Sequence, residues 1–103
     1  MPEHKEQVAA RVQLNPKSLD MLFEIGSATV GKATPVLPTM VSLMDELKLS
    51  MPHYLAANGE LASKKLCTTR YGHHPDHFGM PAFELTDGGK SLYQQVVEMG
   101  YKR

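Results

Sequence analysis

The sequence predicts a small α+β domain, mostly helical, with a three-helix core, a β-hairpin and a C-terminal helix. Three observations point there. Two amphipathic runs are joined by a three-residue turn, Lys48 to Ser50, and the second run starts on a capping serine. Two short runs, "LCTTRY" and "AFELT", flank a stretch holding two glycines and two prolines, which is the pattern of a hairpin. A last amphipathic run, "TDGGKSLYQQVVEMG", opens on a threonine suited to cap a helix.

Each element has its own local warrant. Residues 3–13 place Val8 and Val12 one turn apart, a stripe too thin to hold an isolated helix. That segment is therefore expected to fray or to pack on a partner subunit. Asn15 is a good N-cap and Pro16 sits at the first helical position, where its missing N–H costs nothing. Leu19, Leu22, Phe23 and Val30 follow at helical spacing and should be buried, with Gly31 at the helix end. "ATPVLP" favours extended backbone. The next helix runs through "PTMVSLMDELK", with Leu37, Val41, Met44 and Leu47 expected inward and Asp45, Glu46 and Lys48 outward. Ser50 caps a helix over residues 50–65, with Pro52 in its first turn. Tyr54, Ala57 or Asn58, and Leu61 form its expected inner face, and Gly59 weakens it by about 1 kcal/mol relative to alanine. In the second strand Phe83 and Leu85 share a face. Thr86 caps the last helix, where Leu92, Val96 and Met99 line one side as far as Gly100.

Two helices joined by a tight turn and followed by a hairpin make a winged helix-turn-helix plan. Residues 1–14 are set apart as an N-terminal arm or dimerisation helix, and residues 15–103 as the winged helix-turn-helix domain. The chain of 103 residues fits one such domain, whose modest core often needs a partner. At 42% hydrophobic and 21% charged residues it reads as folded, not disordered. Eleven basic residues balance eleven acidic ones, so overall basicity gives no argument for nucleic acid; charge distribution must carry it. A lone cysteine, Cys67, excludes an internal disulfide and suits a reducing compartment; its simplest role is a buried small hydrophobe. No apolar run reaches the roughly 18 residues of a membrane span, and "MPEHKEQVAARVQL" is too polar for a secretory signal. A cytoplasmic protein without membrane association is the expectation.

Two stretches carry a family likeness. "LKLS", Leu47 to Ser50, with Pro52 two residues beyond the serine, resembles the turn before the recognition helix of winged-helix regulators of the multiple-antibiotic-resistance (MarR) type. "LTDGGKSL", with Leu85, Thr86, Gly89 and Leu92, resembles the wing exit of the same family. The likeness runs from about Pro16 to about Met99. It implies that the helix starting at Ser50 enters the DNA major groove while the hairpin, residues 67–86, reaches the minor groove or backbone. It also implies a homodimer that represses transcription. The family's extra terminal helices are trimmed at this length, so no small-molecule ligand or cofactor is expected.

The residues expected to meet DNA are Ser50, Met51, Pro52, His53, Ala56, Ser63, Lys64, Lys65, Arg70, His73, His74, His77 and Lys90. Arg70 suits a phosphate or a narrow minor groove. The three histidines, with an ordinary pKa of about 6.5, gain charge beside a polyanion. Lys64, Lys65 and Arg70 with these histidines stand against one acid, Asp76, in residues 64–77. Phosphate contacts of this kind set affinity and salt dependence without reading bases. Within the recognition helix the outward candidates are Met51, His53, Leu55, Ala56, Gly59, Glu60 and Ser63, and only Asn58 has the amide that matches an adenine edge.

"RYGHHPDHFG" also has the residue types of a metal site. However, adjacent histidines point apart, and the spacing matches neither a zinc motif nor a helical pair. No metal is expected. Catalysis is not expected either, because a hairpin tip lacks an enclosing cleft and "DGGKS" lacks the full phosphate-loop spacing. Two alternatives stay open: a winged-helix protein-interaction module, suggested by Met51 and Leu55, and a plasmid or phage replication or partition DNA-binding protein. The dimer seam is expected from Val8, Val12, Val96, Val97 and Tyr101.

Overall fold

The computed structural model describes residues 5–71 and 81–103. The elements, in order, are α1 (Lys5–Val12), α2 (Pro16–Thr29), α3 (Met40–Leu47), α4 (Met51–Ser63), β1 (Cys67–Tyr71), β2 (Pro81–Leu85) and α5 (Asp87–Glu98). The helices that follow Asn15, Ser50 and Thr86 start where those capping residues predict, and α3 starts on a cap of its own. The Asn15 side chain accepts from the Lys17 amide at 3.0 Å, with Pro16 next to it. Thr39 and Ser42 form a reciprocal capping box: Thr39 Oγ1 accepts from the Ser42 amide at 3.2 Å and Ser42 Oγ from the Thr39 amide at 2.8 Å. α3 ends at Lys48, which takes the left-handed conformation at φ 55° and leads into buried Leu49 and capping Ser50.

α2 is the axis of the molecule, packed against α1, α3, α4, β2 and α5. Its inner surface supplies Met21, Leu22 and Ile25 to a core completed by Leu43, Tyr54, Leu61, Phe83 and Leu85. Gly26 lets α5 come close: a Cβ there would lie 2.3 Å from the Tyr93 ring. The hairpin is antiparallel, pairing Cys67 with Leu85 and Thr69 with Phe83. The extended segment before α3 adds to it. Thr39 bridges Ala82, and the Phe83 amide donates to the Pro38 carbonyl at 2.8 Å.

Two expectations are corrected by packing. The inward residues of α3 are Met40, Leu43, Met44 and Leu47, whereas Val41 is 41% exposed. Leu37 is buried, but it precedes the helix, so counting the helical period from it put the stripe off by part of a turn. The second correction concerns α1. It is supported within its own chain: Val8 and Ala9 are buried with Leu19, Val96 and Tyr101 in a second cluster. Tyr101 sits edge-on to Phe23 at 5.2 Å and its hydroxyl donates to Asp20, which also pairs with Lys5 at 2.7 Å. Val8, Val96 and Tyr101 are therefore filled from inside the chain and leave Val97, 47% exposed, as the open apolar member of the expected seam. Arg103 then ties the C-terminal end to α2 and α3 through Glu24 and Glu46.

Cys67 is buried as expected, and burial pushes its thiol from 9.0 to about 11. A native state that holds this proton more tightly than the unfolded chain loses stability as pH rises. The melting temperature should accordingly fall between pH 9 and 11, and Cys67→Ala should make that fall shallower. The same thiol should resist alkylation in the native protein and react on unfolding. Rapid labelling of the folded protein would contradict this account.

Candidate nucleic-acid interface

α4 is built with one face in and one face out. Tyr54, Ala57 and Leu61 are buried against α2, and the Tyr54 ring meets Phe83 edge-on at 6.3 Å. The opposite face is exposed and largely apolar: Met51 is 47% and Leu55 56% accessible, one turn apart, with Pro52, His53, Ala56 and Ser63 also exposed. Asn58 is half-buried on the flank. Ser50 Oγ, the cap, lies 3.0 Å from His53 Nδ1, so the first turn is held by a side-chain pair. Gly59 has nothing within 4 Å of where a Cβ would be. Gly59→Ala should therefore stabilise the protein by about 1 kcal/mol, raising the melting temperature by roughly 4–8 °C. A lower melting temperature would mean that an unseen constraint acts there.

A groove of about 590 Å³ lies between the N-terminus of α2 and the outer face of α4. Lys17, His53, Ala56, Ser63 and Lys64 border it. Glu60, at its wall, is occupied by the chain itself. Burial works against its charge, yet hydrogen bonds from Ser18, the Asn15 amide and Lys64 outweigh it and hold the carboxyl below its ordinary range. The acid is thus answered internally, in part by Lys64, while Lys17 stands as an exposed cation on the groove's border.

The expected contact residues divide by position. Ser50, Met51, Pro52, His53, Ala56 and Ser63 all fall on the exposed surface of α4 or its cap. Lys64, just past the helix, is partly engaged: its ammonium pairs with Glu60 at 3.2 Å and donates to the Gln13 carbonyl. Lys65 turns the chain from α4 into β1 at φ 58°, and its carbonyl accepts from Thr86 Oγ1 at 2.6 Å. Arg70 projects from β1 and pairs with Glu84 at 3.2 Å; with Arg70 52% exposed, such a pair is weak enough to yield to a phosphate. Lys90 opens onto a different cavity of about 280 Å³, with Lys32, Leu37 and Glu84. His73, His74 and His77 lie outside the described residues. Among the described residues, no three of His, Cys, Asp and Glu gather as a metal site would require.

Lys17 is the residue that sequence reasoning missed. It stands on α2, far along the chain from α4, and only the helix packing brings it to the groove. Asn15 and Pro16 mark it as the start of a helix, which says nothing about its neighbour.

No protein-family model matches the chain, and no curated protein does. Among solved structures, it aligns with the crystal structure of an S. aureus MepR–DNA complex at a TM-score of 0.71, over 92% of this chain and 71% of that one. The fold is a winged helix. Sequence identity is 14%, so the likeness lies in backbone shape. In the winged helix, α3 and α4 form the helix-turn-helix, β1 and β2 form the wing, and the "LTDGGKSL" stretch closes the wing onto α5. Among the described residues, no helix is long and apolar enough to cross a membrane.

Proposed function

We propose that this winged helix is a double-stranded-DNA-binding transcription regulator, a homodimeric repressor acting in the cytoplasm. The observation that carries the reading is α4 itself. It is an exposed helix flanked by Lys17, Lys64 and Lys65, held in a fold whose shape matches that of MepR, a protein crystallised with DNA. α4 would lie in the major groove through Ser50, Met51, Pro52, His53, Ala56 and Ser63. Arg70, with His73, His74 and His77 of the wing, would meet the minor groove or backbone, and Lys64, Lys65 and Lys90 would meet phosphates. Residues 1–14, with Val8 and Ala9 already packed on their own chain, would serve the dimer through the outer face of α1, with Val97 on the seam. A replication or partition role would use the same contacts.

The test is a titration with duplex DNA at several salt concentrations. Affinity should fall linearly with the logarithm of salt concentration, since each neutralised phosphate releases counterions. Absence of binding at low salt, or a flat salt dependence, would reject the reading. Exposed Met51 and Leu55 favour a second reading, in which α4 docks an apolar protein partner. On that reading the cations around α4 are dispensable.

A further inference from the structure

Resting on the DNA reading above, we infer that α4 recognises thymine through its 5-methyl group, and does not read purine edges by hydrogen bonds. The major groove offers two kinds of signal, donor and acceptor patterns and the apolar methyl of thymine. Reading the first takes arginine, lysine, asparagine or glutamine on the exposed face. Between Met51 and Ser63 there is no arginine, lysine or glutamine, and Asn58 is half-buried. Glu60, the side chain suited to cytosine, is held by Asn15, Ser18 and Lys64. His53 is joined to Ser50 through Nδ1. What the helix presents is Met51 and Leu55 one turn apart, 47% and 56% exposed, with Ala56 beside them.

The charges around this apolar centre select the occupant. Exposed Lys48 precedes the cap of α4, exposed Lys64 and Lys65 follow its last residue, and Lys17 faces it across the groove. An exposed apolar helix face with lysines before, after and beside the helix complements a major groove, whose floor carries methyl groups and whose walls are phosphates. An apolar protein surface would offer no counter-charge to Lys17, Lys48 and Lys65, whereas Lys64 already pairs with Glu60 at 3.2 Å.

The experiment has two stages with the full chain. Bound duplexes are first selected from a random pool, and the winning site is then synthesised with uracil in place of thymine. The exchange removes methyl groups and leaves every base-pair hydrogen bond. Affinity should drop roughly four-fold for each contacted methyl removed, as expected for loss of one buried carbon. M51S/L55S, which alters only exposed side chains, should bind both duplexes equally. Equal affinity of the wild-type chain for the two duplexes would overturn the inference and leave the DNA reading standing. So would a variant that still discriminates, or a selected pool without preferred thymines. Failure to bind any duplex would overturn the DNA reading and this inference together.

Discussion

Gly89→Ala is expected to lower stability by about 3 kcal/mol, which for a chain of this size is a drop of roughly 12–24 °C in melting temperature. The cause is a backbone clash with no room to relax. A Cβ at Gly89 would lie 2.0 Å from the Leu66 carbonyl oxygen, 3.0 Å from its carbon and 3.2 Å from the Leu85 Cβ. Leu66 cannot retreat, because its amide is bonded to the Leu61 carbonyl at 2.8 Å and its carbonyl accepts from the Thr86 amide at 3.0 Å. Gly89 cannot move away either, since its own amide donates to Thr86 Oγ1 at 3.1 Å. These contacts form the joint between α4, the wing and α5, so the clash would loosen the whole wing. Gly88→Ala is the control: its nearest neighbours are 3.8 and 4.0 Å away, and the change should be mild. Thermal unfolding of both variants decides the matter. Equal melting temperatures would show that the joint is not packed as described.

The second large effect concerns binding. Removing three cations together, in Lys64→Ala, Lys65→Ala, Arg70→Ala, should make the slope of log affinity against log salt shallower by about 3 per bound chain. Across a fourfold change in salt, affinity would then vary roughly 60-fold less than for the wild type. Part of the internal structure is also touched, because Lys64 pairs with Glu60 and Arg70 with Glu84. Both are partly exposed pairs, of the kind worth about 0–1 kcal/mol, so the variant should remain folded, which a melting curve checks. A folded triple variant with unchanged affinity and slope would reject Lys64, Lys65 and Arg70 as phosphate contacts and favour the protein-docking reading of α4.

The two effects mark how far local signals reach. Asn15, Thr39, Ser50 and Thr86 each cap a helix because a short polar side chain can satisfy amides two or three residues ahead. Such bonds are local, so the helix starts at Asn15, Ser50 and Thr86 were legible, as were the inward Tyr54, Ala57 and Leu61 of α4 and the paired strands. The exposed candidates Met51, Ala56 and Ser63 followed from the same periodicity. The face of α3 was not legible, because Leu37 reaches the core from an extended segment and falls out of helical phase.

Sequence alone thus determined the order of elements, the starts of α2, α4 and α5 and the outward face of α4, since each depends on residues within a turn of one another. Tertiary structure alone decided that α1 is held by Leu19, Val96 and Tyr101, that Lys17 stands across the groove from α4, and that Glu60 is consumed by Asn15, Ser18 and Lys64. Those partners are brought together by burying apolar surface against α2, and no periodicity within one segment encodes which distant segment will share that burial.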